Sequence, residues 1–338
     1  MMKNSDSIKR DLEKKHYALV GENAAVQICN WTKSSIRGEG VCWKEKFYGI
    51  SSAGCCQFSP NVMNCENKCL HCWRPIEFNK GIDVKEIFDS KELLDKIIIQ
   101  RKKLMRGFGG NRKVDKKKLE KSYTPSLYTL SLSGEPTLYP NLPELIKEIR
   151  SRKAVSFIVT NGQNPEMIKR LEKENALPTQ LTLSTNAPNK ELFLKWHNSC
   201  RKDSWERFQE TVFLLAKLKE KCRRVIRLTL VQKGKDEKNK LNEIMNMSEA
   251  NVLEYAKIIE KANPNFVHAK GFMSIGNSRP RGMTYDKQPT FDEVKEYAGK
   301  ILAELRKKDK SWKMLAEEIR SVVVVLGRDK KEMKIKRV

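Results

Sequence analysis

From residue 83 onward, short apolar runs alternate with longer amphipathic stretches. The apolar runs predict strands at residues 126–132, 154–159, 180–184, 225–231, 266–273 and 322–326. The amphipathic stretches predict helices at residues 84–105, 141–150, 165–175, 205–221, 249–262 and 291–306. This alternation predicts an α/β fold built from βαβ units around a mainly parallel sheet. In α/β barrels, functional side chains follow the C-terminal ends of the strands.

The first 56 residues lack this regular alternation. Residues 1–28 predict a helical extension, and residues 26–56 predict irregular structure because they are rich in glycine, cysteine and aromatic residues. A chain of 338 residues can form one α/β barrel. We expect an N-terminal extension at residues 1–57, a partial barrel at residues 58–290 and a C-terminal extension with a basic tail at residues 291–338.

The chain is strongly basic, with 67 Lys and Arg against 42 Asp and Glu and a formal net charge of +25. This excess favours a polyanionic partner, most simply nucleic acid, although a solvated basic surface is the alternative. No apolar run is long enough to span a bilayer, and the first 15 residues are polar. We therefore expect a cytoplasmic protein without membrane contact.

Three cysteines form a C-x3-C-x2-C pattern at Cys65, Cys69 and Cys72. A short loop can direct three thiolates at one point, as in sites for soft metals or iron–sulfur clusters. A structural zinc site usually has four protein ligands, so three cysteines leave one metal position open. Seven of the nine cysteines lie between Cys29 and Cys72. In a cytosolic chain this clustering favours metal or redox chemistry over disulfides.

A second set of three cysteines, Cys29, Cys42 and Cys55, is spaced by thirteen residues each time. The adjacent Cys56 breaks the pattern and is interpreted as a packed thiol. Zinc sites and two iron–sulfur clusters are both possible uses of six thiolates. The wide spacing does not match the short C-x2-C knuckles of zinc ribbons, which favours two clusters.

Polar motifs follow three of the predicted strands. They are Ser133-Gly134-Glu135-Pro136, Thr160-Asn161-Gly162 and Ser184-Thr185-Asn186. An acid buried at such a position suits a ligand ammonium group. Strand-to-helix turns favour Asn and Gly in any case, so the second and third motifs are equally well explained as ordinary turns.

Two basic runs and the basic loop at residues 279–281 are candidate nucleic-acid contacts. Residues 101–121 hold ten Lys and Arg against two acids, with three glycines in the middle, and a second run spans residues 328–337. The alternative is a solvated loop, the usual explanation of a charge run. The candidate contacts are Arg74, Lys116, Lys117, Lys118, Arg279 and Arg281.

The cysteine loop followed by βα repeats resembles the radical S-adenosylmethionine (radical SAM) superfamily. The resemblance implies a partial (β/α)6 barrel and a [4Fe–4S] cluster on Cys65, Cys69 and Cys72, with S-adenosyl-L-methionine on the open iron. It further implies a cofactor-binding role for the residues of the strand-terminal motifs, namely Gly134, Glu135, Pro136, Thr160, Asn161, Ser184 and Asn186. His71 stands where this superfamily commonly has an aromatic ring near the adenine.

Within that superfamily, the two cysteine triads, Cys42-Trp43-Lys44 and Cys72-Trp73-Arg74-Pro75 resemble the archaeal wybutosine-pathway family, the tRNA 4-demethylwyosine synthases. The resemblance implies two substrates, pyruvate and tRNA-Phe carrying N1-methylguanosine 3′ of the anticodon. It implies a second [4Fe–4S] cluster on Cys29, Cys42 and Cys55, and a Schiff base between Lys44 and pyruvate. A lysine two residues from a cluster ligand lies near a desolvated site, where an amine becomes more nucleophilic.

By the same resemblance, the product is the tricyclic base 4-demethylwyosine and the reaction is that of a carbon–carbon lyase. We expect a monomer that receives electrons from a flavodoxin- or ferredoxin-type donor. Two other hypotheses are a different radical SAM enzyme that modifies RNA, such as a methylthiolating one, and a non-catalytic zinc protein that binds RNA. Lys44 beside Cys42 argues against the first, and the Gly-Glu-Pro motif after a strand argues against the second.

Overall fold

The computed structural model describes residues 5–236 and 238–335. The helices are α1 (Ser5–Lys14), α2 (Asn30–Ile36), α3 (Trp43–Tyr48), α4 (Ser90–Met105), α5 (Lys116–Ser122), α6 (Leu142–Ser151), α7 (Pro165–Lys173), α8 (Lys190–His197), α9 (Ser204–Lys217), α10 (Glu249–Ala262) and α11 (Phe291–Lys308). The strands are β1 (Ala18–Val20), β2 (Ala24–Gln27), β3 (Cys55–Ser59), β4 (Leu127–Leu130), β5 (Val155–Thr160), β6 (Gln180–Ser184), β7 (Arg223–Leu230), β8 (Phe266–Gly271), β9 (Lys313–Glu318) and β10 (Val323–Gly327).

All ten strands belong to one sheet, in the order β1-β2-β3-β4-β5-β6-β7-β8-β10-β9. Strands β3 to β8 are parallel and follow chain order, whereas the pairs at both edges are antiparallel. The predicted α/β fold with a mainly parallel sheet is confirmed. Five of the six strands predicted from residue 126 onward are parallel and the last, β10, is antiparallel, while the sixth parallel strand, β3, was not predicted. Because the six parallel strands run in one direction, the loops that follow them meet at one edge of the sheet.

The parallel strands are largely buried on both faces, as such strands are expected to be. On the outer face, side chains such as Tyr128, Ile158 and Leu181 pack in a large core shared with the surrounding helices. On the inner face, a smaller core contains Leu127, Val225 and Phe266. Helix α3 contributes Tyr48 to this inner core, where its ring lies 6.5 Å from that of Phe266 between centroids.

The predicted strands from residue 126 onward are confirmed, with ends shifted by up to two residues. The helix predicted at residues 84–105 begins only at Ser90, because the Asp89 carboxylate accepts hydrogen bonds from the N–H groups of Lys91 and Glu92 and caps it there. Pro143 lies in the first turn of α6, as predicted. Strand β9 was not predicted from its half-polar sequence, and neither were the short helices α5 and α8.

The prediction for the N-terminal part was wrong in two places. Residues 1–28 are not one helical extension, because α1 ends at Lys14 and a hairpin of β1 and β2 follows. Residues 26–56 are not irregular, because they contain α2, α3 and the start of β3. Strand β2 pairs with β3, so the hairpin extends the sheet.

The three predicted segments share one sheet. The boundary predicted between residues 57 and 58 falls inside β3, while β9 and β10 of the predicted C-terminal extension join the same sheet beyond β8. The segment bounds remain a prediction. The basic run at residues 328–337 ends outside the described residues. No helix in the described part of the chain is long and apolar enough to cross a membrane.

Candidate active site

A cavity of about 820 Å3 opens at the C-terminal edge of the parallel strands and extends along their inner face. Residues of all six parallel strands contribute to its wall. Most residues predicted for the site from the sequence line it, namely Cys29, Cys42, Lys44, Cys55, Cys65, Cys69, Cys72, Arg74, Gly134, Glu135, Thr160, Asn161, Ser184 and Asn186. The fold therefore brings both cysteine triads and Lys44 to one space.

Two cysteines of the N-terminal triad immediately precede short helices. Cys29 is the N-cap residue of α2 and Cys42 that of α3. Burial raises the pKa of the Cys29 and Cys42 thiols, and backbone N–H groups at the start of α2 and of α3 act against this rise. The third member, Cys55, begins β3, and its Sγ lies 3.7 Å from Thr129 Oγ1.

The C-x3-C-x2-C loop follows β3 and is anchored at both ends. The Cys65 N–H donates to the carbonyl of Gly81 at 3.1 Å, and Asn79 Nδ2 donates to the Cys65 carbonyl at 2.7 Å. Further along, the Lys68 N–H donates to the carbonyl of His197, the last residue of α8, at 2.8 Å. Backbone and side-chain hydrogen bonds therefore fix this loop before any ligand binds.

Arg281, in the loop after β8, holds the C-terminal side of the cysteine loop. Its guanidinium donates to the carbonyls of Cys72 and of Arg74, the latter at 3.0 Å, and pairs with Glu77 at 2.8 Å. In the same loop, the Asn277 N–H donates to the Trp73 carbonyl at 3.1 Å. Arg281 was predicted to contact tRNA, but the structure engages its donors with the cysteine loop.

The thiols of each triad influence one another. Burial raises the pKa of Cys42 to about 11, with added contributions from Cys55 and Cys29 and an opposing one from Lys44. Burial also raises the pKa of Cys65, and the charges of Glu66 and Cys69 act in the same direction. Thiolates placed together in a buried site favour a cation that takes the place of their protons.

Three thiols with N–H groups close by are a donor set that holds iron–sulfur clusters in proteins. Within residues 5–236 and 238–335, no three Cys, His, Asp or Glu side chains are arranged to hold a single metal ion. The Asn67 N–H lies 3.4 Å from Cys65 Sγ, and Asn161 Nδ2 lies 3.6 Å from it. Such N–H groups are typical of cluster surroundings.

The Gly-Glu-Pro motif after β4 lies against the cysteine loop. Gly134 has φ +71, and a Cβ there would stand 2.0 Å from the carbonyl oxygen of Asn61. The buried Glu135 carboxylate accepts from the hydroxyls of Thr137 and Thr160, both at 2.7 Å, and from the Asn161 N–H at 2.8 Å. Among the residues that the structure describes, Glu135 Oε2 accepts only the hydrogen bond from the Asn161 N–H, so it retains a lone pair for a ligand ammonium.

A second buried acid, Glu66, lies beside the first and was not singled out from the sequence. Asn161 Nδ2 donates to Glu66 Oε2 at 3.1 Å, so Asn161 bridges Glu66 and Glu135. Burial raises the pKa of Glu135 to about 7, and the charge of Glu66 adds to this. Thr160 and Asn161 are thus engaged with the two carboxylates. Asn186 is also engaged, since its Oδ1 accepts from the Thr229 N–H at 3.2 Å.

His71 has an aromatic partner inside the fold. Its ring stacks on Trp196 with centroids 5.5 Å apart, and Trp196 Nε1 donates to His71 Nδ1 at 2.8 Å. Burial lowers the pKa of His71 to about 3, so the imidazole is neutral. A neutral, oriented ring of this kind can pack against the adenine that the sequence resemblance places there.

Helix α3 carries Lys44 into the cavity. The inner-core contacts of Tyr48 and the edge-to-face packing of Trp43 on His268, at 4.9 Å between centroids, fix this helix against the sheet. Lys44 Nζ lies 5.6 Å from the centre of the Phe157 ring on β5. Lys44 therefore projects into the space that both triads line.

The comparisons with known proteins agree with this geometry. A family model described as the radical SAM superfamily matches residues 62–239, and one described as wyosine base formation matches residues 261–328. The S-adenosyl-L-methionine-dependent tRNA 4-demethylwyosine synthase of Pyrococcus abyssi is 39% identical over 86% of this chain and 81% of its own length. The chain belongs to this family of radical SAM proteins.

Further members of the 4-demethylwyosine synthase family match over nearly their full length. The synthase of Methanocaldococcus jannaschii is 29% identical over 97% of this chain and 98% of its own. A solved structure of TYW1 with a lysine-pyruvate adduct bound has a TM-score of 0.79 and 27% identity, covering 99% of this chain and 100% of that one. The crystal structure of archaeal TYW1 gives 0.71 and 26%, covering 98% of each chain.

The predicted nucleic-acid contacts of this family member lie in different settings. Arg74 is buried, with its guanidinium 3.4 Å from the centre of the Trp73 ring and donating to the Tyr17 hydroxyl. Arg279 is exposed in the loop after β8, and its Nε donates to the Ser274 carbonyl at 2.8 Å. Lys116, Lys117 and Lys118 form the first turn of α5, outside the cavity.

Sequence reasoning did not identify several residues that line the cavity of this synthase-family chain. They are Trp31, Arg227, Thr229, Lys270 and Arg320. Trp31 and Arg320 stack at the mouth, with the guanidinium carbon 5.2 Å from the ring centre. Each of Arg227 and Lys270 is a charged residue inside an otherwise apolar predicted strand, which could have marked them as functional. The prediction treated them only as parts of those strands.

Proposed function

We propose that this protein condenses the N1-methylguanosine of tRNA-Phe, 3′ of the anticodon, with pyruvate to form 4-demethylwyosine. The observation that carries the proposal is the single cavity lined by two cysteine triads and Lys44. Relatives named tRNA 4-demethylwyosine synthases cover most of the chain, which supports the same reaction.

Lys44 is proposed to form the Schiff base with pyruvate. Its amine lies 5.6 Å from the centre of the Phe157 ring inside the cavity, where it can react with a bound carbonyl. The structure of a relative with a lysine-pyruvate adduct, matched over the whole chain, supports this assignment. Loss of the pyruvate carboxylate carbon during the reaction agrees with a carbon–carbon lyase.

The proposed cofactors are S-adenosyl-L-methionine and two [4Fe–4S] clusters. Cys65, Cys69 and Cys72 would hold the first cluster, and Cys29, Cys42 and Cys55 the second. When bound, the first cluster and S-adenosyl-L-methionine supply the radical that removes hydrogen from the N1-methyl group. The protein positions both reactants and shields them from water.

The residues around the first triad have separate proposed roles. The Glu135 Oε2 would accept from the methionine ammonium, and the His71 ring would pack beside adenine. Gly134 allows the close approach of the motif to the segment that leads into the cysteine loop. Pro136 begins the short turn that places Thr137 on the Glu135 carboxylate. Ser184, at the end of β6, lies in the cavity wall and would contact the ribose.

The tRNA would approach from the mouth of the cavity. A base in an anticodon loop must be turned out to reach a buried site, which costs a few kcal/mol and less in a loop than in a duplex. Contacts of the α5 lysines and Arg279 with phosphates would offset this cost. We expect a monomer in the cytoplasm, reduced by a flavodoxin- or ferredoxin-type donor.

Borohydride trapping tests the proposal. The reconstituted protein is incubated with pyruvate under anaerobic conditions, reduced, and examined by peptide mass analysis. We expect a pyruvate adduct on Lys44 and none on that peptide in Lys44→Ala. Absence of an adduct in the wild type, or an equal amount in Lys44→Ala, would contradict the role of Lys44.

A further inference from the structure

Two basic side chains lie side by side on the inner face of β7 and β8. Arg227 pairs in register with His268, and Thr229 pairs with Lys270. Paired residues of parallel strands face the same side of a sheet, and every second residue does so along each strand. Arg227 and Lys270 thus lie one step apart on the inner face, and both line the cavity.

These two cations lack carboxylate partners. Within residues 5–236 and 238–335, the Arg227 guanidinium makes no hydrogen bond or ion pair. Burial lowers the pKa of Lys270 to about 8, and the charge of Arg227 acts in the same direction. The Lys270 ammonium donates to the carbonyl of Ser321. The charge of Glu318 reaches Lys270 and opposes the fall in its pKa, but the Glu318 carboxylate is already paired with Lys46 at 2.9 Å.

An unpaired cation in a desolvated site raises the free energy of the folded protein unless an anion binds beside it. Two such cations beside each other indicate a site built for a bound anion. The cavity has about 820 Å3 for a ligand, and a planar carboxylate can accept from a guanidinium and an ammonium together.

The position of the pair points to one ligand. Lys44 and Lys270 both act on His268, whose pKa is lowered by burial first and then by the charges of Arg223, Arg227, Lys44 and Lys270. The charge of Cys42, two residues before Lys44, also reaches Lys270. Trp43, next to Lys44, packs on the His268 ring at 4.9 Å between centroids, and His268 lies two residues before Lys270 on the same face of β8, so Lys270 lies on the Lys44 side of the cavity.

We propose that Lys270 and Arg227 form the subsite that binds the carboxylate of the 2-oxo acid while its keto carbon reacts with Lys44. This inference rests on the proposed function of Lys44. The pair positions the substrate and favours carbonyl compounds that carry an adjacent carboxylate. Lys270 is the principal donor, because it shares its neighbours with Lys44, and Arg227 is the second.

The test compares two carbonyl compounds in the reconstituted protein without tRNA or S-adenosyl-L-methionine. Pyruvate carries the carboxylate and acetaldehyde does not. Each is titrated with borohydride trapping, and the adduct on the Lys44 peptide is quantified by mass analysis. The variants are Lys270→Met, Lys270→Arg and Arg227→Met. Lys313→Met, an exposed lysine on β9 of the same sheet, is the matched control.

We expect Lys270→Met to raise the pyruvate concentration for half-maximal trapping by about tenfold or more, as for the loss of a charge-assisted hydrogen bond. Arg227→Met should act in the same direction. Lys270→Arg should largely restore trapping because it keeps the charge. Acetaldehyde trapping should not change in any variant, nor should either titration change in Lys313→Met.

Three results would overturn the assignment. Equal losses for pyruvate and acetaldehyde in Lys270→Met would show a structural role or an effect on the Lys44 amine. Unchanged pyruvate trapping, with weaker binding of S-adenosyl-L-methionine in equilibrium dialysis, would assign the subsite to the methionine carboxylate. If the wild type gives no adduct at all, the proposed function of Lys44 fails and this inference falls with it; a wild-type adduct that Lys270→Met leaves unchanged refutes the subsite alone.

Discussion

Adjacent cysteines at the start of β3 have different surroundings because successive side chains of a strand point to opposite faces. Cys55 faces the cavity together with Thr129. Cys56 is completely buried in the outer core, where burial raises the pKa of its thiol to about 12. The interpretation of Cys56 as a packed thiol is confirmed, and only its neighbour is placed to bind a cluster.

This difference predicts a contrast between two alanine variants. Cys55→Ala should lose about half of the bound iron after anaerobic reconstitution, because one of two four-iron clusters loses a ligand. Cys56→Ala should keep the wild-type iron content and lose about 1 kcal/mol of stability from the small core cavity. Iron and sulfide per chain are the measurement. Equal iron in both variants would remove Cys55 from the ligand set.

The backbone at Gly134 lies too close to its neighbours to accept a side chain. Its φ of +71 and the 2.0 Å approach of the Asn61 carbonyl leave no room for a Cβ. Gly134→Ala should therefore lose at least about 2 kcal/mol of unfolding free energy in urea titration. Gly109→Ala is the control, because a Cβ there meets nothing within 4 Å and φ is −62. Similar stabilities of the two variants would contradict the constraint.

At the scale of elements, the loop after β8 supports the cysteine loop through Arg281. Arg281→Met should lower retention of the first cluster, because carbonyls of Cys72 and Arg74 lose their donor. Arg279→Met, two residues away and exposed, should retain wild-type iron. The measurement is iron retained after gel filtration of reconstituted protein. Equal retention in both variants would show that Arg281 does not support the site.

Helix α5 supplies the prediction for tRNA binding. Neutralising Lys116, Lys117 and Lys118 should weaken tRNA affinity and flatten its dependence on salt, because phosphate contacts release counterions. The control neutralises Lys307, Lys308 and Lys310, at the end of α11 and in the turn that follows it. Binding measured across a salt series should change only in the α5 variant. Unchanged tRNA affinity of the α5 variant would show that these lysines form a solvated surface and do not contact tRNA.

For the molecule as a whole, periodicity predicted the parallel sheet because each βα unit from β4 onward carries its own apolar pattern. The N-terminal part was predicted poorly, since α2, α3 and β3 are short and their packing partners lie far away in sequence. The cysteine spacing and the Gly-Glu-Pro motif could be read locally. Arg227 and Lys270 could not, because strand pairing alone brings them beside each other.

Arg74 and Arg281 were predicted to contact nucleic acid from local sequence alone, and their packing partners could not be predicted in this way. Charge in a sequence does not show whether a side chain meets solvent or carbonyls of its own chain. In the structure, Arg74 is stacked on Trp73, and Arg281 donates hydrogen bonds to carbonyls of the cysteine loop and of the residue Arg74 that follows it. Both side chains therefore contact other parts of the same chain. Only contacts between distant segments reveal such roles.

Two cysteine triads and Lys44 are proposed to act on one guanosine in one cavity. The most direct measurement is nucleoside mass analysis of tRNA-Phe carrying N1-methylguanosine, after reaction with the reduced holoenzyme, S-adenosyl-L-methionine and pyruvate labelled at C2 and C3. We predict labelled 4-demethylwyosine with the wild type and unchanged N1-methylguanosine with Lys44→Ala. Unchanged N1-methylguanosine with the wild type while 5′-deoxyadenosine accumulates, or an unlabelled product, would contradict the account.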